Sequence, residues 1–427
     1  MKTKLLIFGI SGDLGVHKLL PALEQIVKTG DFDDLSIIGV SRRDVRVEDL
    51  LAGCSDCSIL SGRISMYTMD LSDTNSYHGL KDHIGLADDE QLIVYLALPP
   101  QVVVQAIDNI GATGLNGSNV KVLFEKPFGT DLVSAEAVAR TVSRYYDESQ
   151  VYRIDHYLAK EMVQNIVTVR EKNAMFSQIW KNGLISSISI MALETIGIEG
   201  RANFYEQTGA LRDIVQGHLM QLLALTLMDV PSNLDWDNVP QLRLEALNKL
   251  KPADPSKVVR AQYEGYDNEV GNPETKTETF VALELESDHP SWQGIPIKLI
   301  TGKGLSRKTT EIRIHIKKTD SDQSDCLVFR IQPDEGIGIE LYVKEPGYGN
   351  KLELRSLDFN YQSDTRLPDA YERVIVDAIS SRKSLFTSGE EVLQSWRVLQ
   401  PVQDSWLGSA EQVNTYTVGT DLDTILA

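Results

Sequence analysis

The apolar run L-L-I-F is followed at once by Gly9-Ile10-Ser11-Gly12-Asp13-Leu14-Gly15, and then by V-H-K-L-L-P-A-L-E-Q-I-V-K, whose apolar residues fall at helical spacing. Strand, glycine turn and helix in that order are what a dinucleotide site requires. Glycines let the backbone approach a pyrophosphate, which then rests on the helix N-terminus. The spacing is G-x-x-G-x-x-G rather than G-x-G-x-x-G, a form that tight turns without a ligand share. The basic, apolar start faintly resembles a signal peptide. Its apolar run is too short and is broken by the glycines, so it reads as the first strand of a cytoplasmic protein.

The next strand, L-S-I-I-G-V, runs into Ser41-Arg42-Arg43, close to where an NAD-binding unit carries an acid for the adenosine ribose. An acid would repel a 2′-phosphate, whereas a guanidinium grips one with paired hydrogen bonds. Arg42 therefore favours NADP over NAD, with Ser11 adding a hydrogen bond and NAD left as a weaker or dual acceptor. Further strands are expected at 64–70, 92–98 and 120–125, separated by helical patterns near 73–83, 101–111 and 132–145. That alternation predicts a parallel sheet with helices on both faces. The fourth strand closes on Pro99-Pro100 and the fifth on Glu125-Lys126-Pro127, at the carboxyl edge where such sheets bind ligands. Lys126 is thereby a candidate contact for both cofactor and substrate.

A chain of 427 residues is too long for one ordinary core. From about residue 184 the pattern changes. Strand-like runs with short connections follow, which predicts a second domain of α+β type with one large, mostly antiparallel sheet. The expected division is 1–152 for a Rossmann-type nucleotide domain and 153–427 for the substrate-binding and dimerisation domain. The polar stretch after about 409 reads as poorly ordered.

The net charge of −19 argues against nucleic acid or an anionic membrane as partner. No apolar run reaches the roughly 20 residues of a membrane span. Three cysteines exclude a disulfide scaffold and a four-cysteine zinc site. The C-x-x-C of Cys54 and Cys57 reads as chance spacing in a loop.

Between the two domains lies R-I-D-H-Y-L-A-K, which places Arg153, Asp155, His156, Tyr157 and Lys160 within eight residues. The cluster falls where a strand ends and a helix begins, so free N–H groups and the helix dipole favour an anion there. With a helix starting near Tyr157, Lys160 would come one turn after His156. The most apolar helix, 210–229, carries Asp213 and His218. Five residues apart on an α-helix is about 140° around the axis, so the two cannot share a face. A carboxylate for His218 must then come from elsewhere, and Asp155 is the natural proposal. A single histidine on a buried helix is more often a hydrogen-bonded core residue.

Taken together the motifs resemble the glucose-6-phosphate dehydrogenase family through nearly the whole chain. G-x-S-G-D-L-x-x-x-K (9–18), Y-L-A-L-P-P (95–100), E-K-P-F-G (125–129), R-I-D-H-Y-L-x-K-E (153–161), A-L-R-D-I-V-Q-G-H (210–218), R-I-Q-P-D-E (330–335) and P-D-A-Y-E-R (368–373) occur in the family's order. The resemblance implies oxidation of glucose 6-phosphate at C1 to 6-phosphoglucono-δ-lactone in the oxidative pentose phosphate pathway, with hydride passing to NADP and no metal. It makes His218 the general base and Asp155 the group that orients it. His156, Tyr157 and Lys160 would hold the 6-phosphate, and Glu194, Asp213, Lys303, Lys308 and Gln332 would contact the sugar or position its neighbours. Lys18 and Lys126 would lie between sugar and nicotinamide. Gly9, Ser11, Gly12, Asp13 and Leu14 would line the coenzyme, Arg42 its 2′-phosphate, with Asp70, Leu71 and Tyr95 near it. A homodimer or homotetramer is implied, paired through the exposed face of the large sheet. The chain departs from the family at Gly15-Val16-His17, where basic residues are usual, and at Ala159, where glycine is usual. The segments between Arg42 and Tyr95 and between His218 and Lys303 are short.

Overall fold

The computed structural model describes residues 2–54, 57–181, 183–317, 324–361, 366–409 and 412–427. The chain divides into two compact units, Met1–Ala159 with Pro368–Glu390, and Lys160–Leu367 with Glu391–Ala427.

In the first unit the strands β1 (Lys2–Phe8), β2 (Leu35–Ser41), β3 (Ile64–Thr68), β4 (Glu90–Leu96), β5 (Val120–Glu125) and β6 (Val151–Ile154) form a parallel sheet in the order 6-5-4-1-2-3. Leu5 pairs with Ile37 on one side and Ile93 on the other. Leu5, Leu6, Ile7 and Phe8 are all fully buried, as expected of a central strand covered on both faces, each side chain contributing roughly 1.5–3 kcal/mol. Two of the intervening helices, Thr74–Ile84 and Leu132–Ser143, start on side-chain caps. Asp73 accepts from the Asn75 N–H, and Asp131 forms a capping box with Ser134.

The unit boundary falls at Ala159 rather than at the expected 152. The strand β6 belongs to this sheet, pairing with β5, and carries the turn that follows it. The helix Ala370–Ile379, expected in the second domain, also belongs to the first unit and packs on Leu20–Lys28. Two lysines, Lys121 buried and Lys383 half-buried, tie that returning segment down. Lys121 Nζ donates to Ala378 O at 2.6 Å, and Lys383 Nζ donates to Val151 O at 2.6 Å. Burial pushes their ammonium groups down to about 8 and about 7 respectively. A short strand, Phe386–Thr387, then closes the sheet edge antiparallel to β6. Cys54 and Cys57, expected as chance neighbours in a loop, are paired as a disulfide with Cα atoms 5.8 Å apart, both in the core of this unit.

The second unit is built on β7 (Ile185–Leu193), β8 (Val258–Tyr263), β9 (Phe280–Leu285), β10 (Ile297–Gly302), β11 (Thr309–Ile316), β12 (Cys326–Gln332), β13 (Gly336–Lys344) and β14 (Leu352–Asn360). Their order is 14-13-12-11-7-10-9-8, with the short strand Asn414–Tyr416 beyond β8. Pairing is antiparallel except between β7 and β10 and between β8 and Asn414–Tyr416. The chain end is thus ordered where disorder was expected, apart from residues 410–411, which lie outside the described residues. Tyr416 is buried and its hydroxyl donates to Lys303 O at 2.6 Å. Among the described residues no helix is long and apolar enough to cross a membrane.

Candidate functional site

At the carboxyl edge of the first unit, Gly9 has φ +78°, and a Cβ there would lie 2.3 Å from Ala97 O on the neighbouring strand's extension. At Gly15 a Cβ would lie 2.0 Å from Ile10 O. Neither obstacle is a side chain that could turn away, so both positions need glycine. Gly15 opens a π-helical turn, Gly15–Leu19, in which Leu20 N–H bonds to Gly15 O before the α-helix begins. Ser11, Gly12, Asp13 and Lys18 are exposed on this loop and Leu14 is half-buried. Ser11 Oγ lies 3.2 Å from Ser41 Oγ, which also accepts from Arg43 N–H at 3.2 Å. The glycine loop and the end of β2 are thereby held together, with Arg42 exposed beside them. Asp70 is exposed as well. Bonds from Ser72 N–H and Oγ, with the nearby Arg42 guanidinium adding, hold its carboxyl below the ordinary range. Leu71 O accepts from Tyr77.

Tyr95 is fully buried and donates to Glu125 Oε1 at 2.6 Å, joining the ends of β4 and β5. Burial pushes the Glu125 carboxyl up to about 7, with the Asp155 charge adding. Glu125 precedes Lys126, which is half-buried and joined to Pro127 by a cis peptide bond. In the sequence Glu125 stands out only by its place at the end of the fifth strand, in E-K-P-F-G.

Beyond β6, Asp155 Oδ1 accepts the Tyr157 N–H at 2.9 Å, and Asp155 O accepts the Leu158 N–H. This side-chain turn occupies the residues from which a helix was expected to start. The helix begins instead at Glu161, with Lys160 at its N-cap, so Lys160 does not follow His156 on one helical face. The His156 and Tyr157 rings are 5.1 Å apart.

In the second unit Lys160 donates to Gln332 Oε1, while Gln332 Nε2 donates to Thr310 Oγ1 at 3.0 Å. The N-terminus of Glu161–Lys172 is not left open as expected, because Glu335 Oε2 accepts the Met162 N–H at 3.2 Å. Lys303, buried at the end of β10, pairs with Glu194 at the end of β7 and lies 5.4 Å from the centre of the Tyr205 ring. Backbone bonds fix the pair: Glu194 N–H to Gly302 O at 2.9 Å and Lys303 N–H to Thr279 O at 3.0 Å. Lys308 is exposed on the link to β11.

Asp213 and His218 lie on Leu211–Leu219, which is π-helical and continues as the α-helix Met220–Leu227. In this winding Met220 N–H bonds to Val215 O. Residues five apart are stacked by that i→i+5 pattern, so Asp213 and His218 do share a face. The expectation from α-helical spacing is overturned because the winding is wider. The π-helical stretch packs on β7 and β10, the strands that carry Glu194 and Lys303. His218 is buried and Asp213 half-buried.

The first unit thus presents a glycine-rich backbone turn beside an exposed arginine, and the second brings a lysine, carboxylates and an imidazole onto the ends of β7 and β10 and the helix packed on them. Residues 6–165 match the family model "Glucose-6-phosphate dehydrogenase, NAD binding domain", and residues 167–423 match "Glucose-6-phosphate dehydrogenase, C-terminal domain". The glucose-6-phosphate 1-dehydrogenase of Chlamydia pneumoniae is 34% identical over 94% of this chain and 89% of its own length. A solved glucose-6-phosphate dehydrogenase in complex with its substrate glucose-6-phosphate superposes with a TM-score of 0.92 at 29% identity, covering 100% of this chain and 97% of that one. The corresponding enzyme of Mycobacterium avium gives a TM-score of 0.87 at 30% identity, over 98% and 94% of the two chains. With both family models matched in order and relatives aligned over nearly their full length, the chain is an enzyme of the glucose-6-phosphate dehydrogenase family.

Proposed function

We propose that the protein oxidises glucose 6-phosphate at C1 to 6-phosphoglucono-δ-lactone, the entry step of the oxidative pentose phosphate pathway, with NADP as the preferred acceptor. The observation that carries this reading is the π-helical stretch of the second unit. It stacks Asp213 and His218 on one face and packs on the two strands whose ends pair Lys303 with Glu194.

His218 takes the proton of the C1 hydroxyl, and a neutral imidazole suits that work near neutral pH. Asp155 orients the imidazole and stabilises its protonated form. His156, Tyr157 and Lys160 hold the 6-phosphate, with Gln332 keeping the Lys160 ammonium in place. Glu194, Asp213, Lys303 and Lys308 bind or orient the sugar hydroxyls. When bound, the nicotinamide accepts the hydride released from C1.

The glycine loop suits a dinucleotide, since Gly9 and Gly15 let it turn tightly against Ala97 O and Ile10 O while Ser11, Gly12 and Asp13 stay exposed on it. Gly9, Ser11, Gly12, Asp13 and Leu14 line it, with Asp70, Leu71 and Tyr95 alongside. Arg42 binds the 2′-phosphate, and Lys18 and Lys126 reach between coenzyme and sugar. A cytoplasmic setting follows the same reading. A homodimer, or a tetramer built from it, pairs through the exposed face of the large sheet.

The test is absorbance at 340 nm with glucose 6-phosphate or glucose, each with NADP or NAD. Fast reduction of NADP by the phosphorylated sugar alone is expected. Equal rates with glucose would sink the phosphate assignments, and activity with NAD alone would sink the role of Arg42.

A further inference from the structure

The helix carrying Asp213 and His218 starts abruptly, and the way it starts assigns a role to a residue far away in sequence. Ala202–Ala210 runs helically until Gly209, whose φ of +66° and ψ of 174° break it. A Cβ at Gly209 would sit 2.5 Å from Glu278 Oε1 and 2.8 Å from its carboxyl carbon. The missing side chain thus makes the slot into which the Glu278 carboxyl fits.

From that slot Glu278 makes two bonds to the start of the next helix. Its Oε1 accepts the Leu211 N–H at 2.9 Å, and its backbone O accepts the Ala210 N–H at 3.0 Å. These are among the N–H groups that a helix start leaves without partners, and an acidic side chain there also suits the dipole. Glu278 is itself buried at 4% exposure.

The segment bearing Glu278 is clamped to the preceding helix through Glu206. The Glu206 carboxylate accepts from Tyr266, Asn272 and Thr275 at 2.8–2.9 Å, and Thr277 Oγ1 donates to Glu206 O at 2.8 Å. On that same helix Tyr205 sets its ring under the Lys303 ammonium. The anchor of the helix and the seat of Lys303 therefore belong to one clamp.

We propose that Glu278 is a positioning residue of the sugar site: seated in the slot left by Gly209, it fixes where the helix bearing Asp213 and His218 begins. This rests on the reading that His218 is the base. A helix start displaced by about 1 Å would carry that imidazole out of line, and such a shift costs up to about a hundredfold in rate.

The test compares Glu278→Ala, Glu278→Gln and Gly209→Ala with the parent protein. Glu278→Ala is expected to lower kcat ten- to hundredfold and raise KM for glucose 6-phosphate, leaving KM for NADP within twofold. Glu278→Gln keeps an oxygen that can accept the Leu211 N–H, so it should restore kcat to within about threefold. Gly209→Ala fills the slot and should resemble Glu278→Ala. Hydrogen exchange at amides 211–218 should speed up in Glu278→Ala and Gly209→Ala but not in Glu278→Gln. That readout remains available if the parent protein fails to oxidise glucose 6-phosphate, an outcome that would remove the functional reading alone. A Glu278→Ala variant with unchanged kcat and merely a lower Tm overturns the proposal, as does a Glu278→Gln variant as impaired as alanine.

Discussion

In the first unit the side-chain pairs at the carboxyl edge of the sheet join residues about one strand–helix repeat apart. Ser11 meets Ser41, and Tyr95 meets Glu125, each 30 residues apart. In the second unit the corresponding partners are far apart in the sequence. Lys303 meets Glu194 across 109 residues, and Lys160 meets Gln332 across 172. The first kind of site is assembled as soon as adjacent parallel strands pair. The second exists only once β7, β10 and β12 have taken their places in the nine-stranded sheet. The contrast predicts that the two sites can be damaged separately, by different kinds of change.

Among the changes that leave the proposed base in place, the largest effect is expected at Gly15. A Gly15→Ala side chain meets the Ile10 carbonyl at 2.0 Å, so the loop must move, and a loss of NADPH affinity of about a hundredfold should follow in a fluorescence titration. Affinity within threefold of the parent would contradict the role given to the loop. In the second unit, Lys303→Met leaves Glu194 without its cation. Because the Glu194 side chain is 33% exposed, the stability cost should be held to about 1–3 kcal/mol in urea unfolding. The KM for glucose 6-phosphate should rise at least tenfold with KM for NADP unmoved, and a rise in both would deny that the sites are separable.

Arg42→Ala should raise KM for NADP about tenfold, equivalent to about 1.4 kcal/mol, and leave KM for NAD unchanged. Equal effects on both coenzymes would remove the 2′-phosphate contact. The last effect concerns pH and is read as stability, with no change expected in either site. Burial raises Glu125 to about 7, so in the folded protein it holds its proton at a pH where the unfolded chain has released it. Its contribution to stability is full at low pH and is lost as pH rises through about 7. Relative to Glu125→Gln, the parent should therefore weaken by about 2–3 kcal/mol between pH 5 and pH 8, read from urea midpoints. A difference that is flat across that range would mean that Glu125 is already ionised at pH 5.

How much of this was legible in the sequence follows the same contrast. The parallel sheet, the glycine loop and the large second sheet could all be read, because period, glycine placement and strand spacing are local signals. The start of the helix at Glu161 could not, since Asp155 captures the Tyr157 N–H and postpones it. Nor could the shared face of Asp213 and His218, because spacing rules assume α-helical winding and the stretch is π-helical. Glu278 and Tyr416 carry no motif; their importance comes from what they touch across the fold. The return of 368–390 to the first unit rests on Lys121 and Lys383, two ordinary lysines until their burial is seen.

The most direct test of the account is the turnover of His218→Asn with glucose 6-phosphate and NADP, measured beside NADPH binding to the same variant. With His218 as the base, kcat falls by about 10²–10⁴ while coenzyme affinity stays at the parent value, because the change removes a base from the second unit and nothing from the first. A variant that keeps kcat within tenfold of the parent would contradict it, and His218 would then be a buried helix residue with no part in the chemistry.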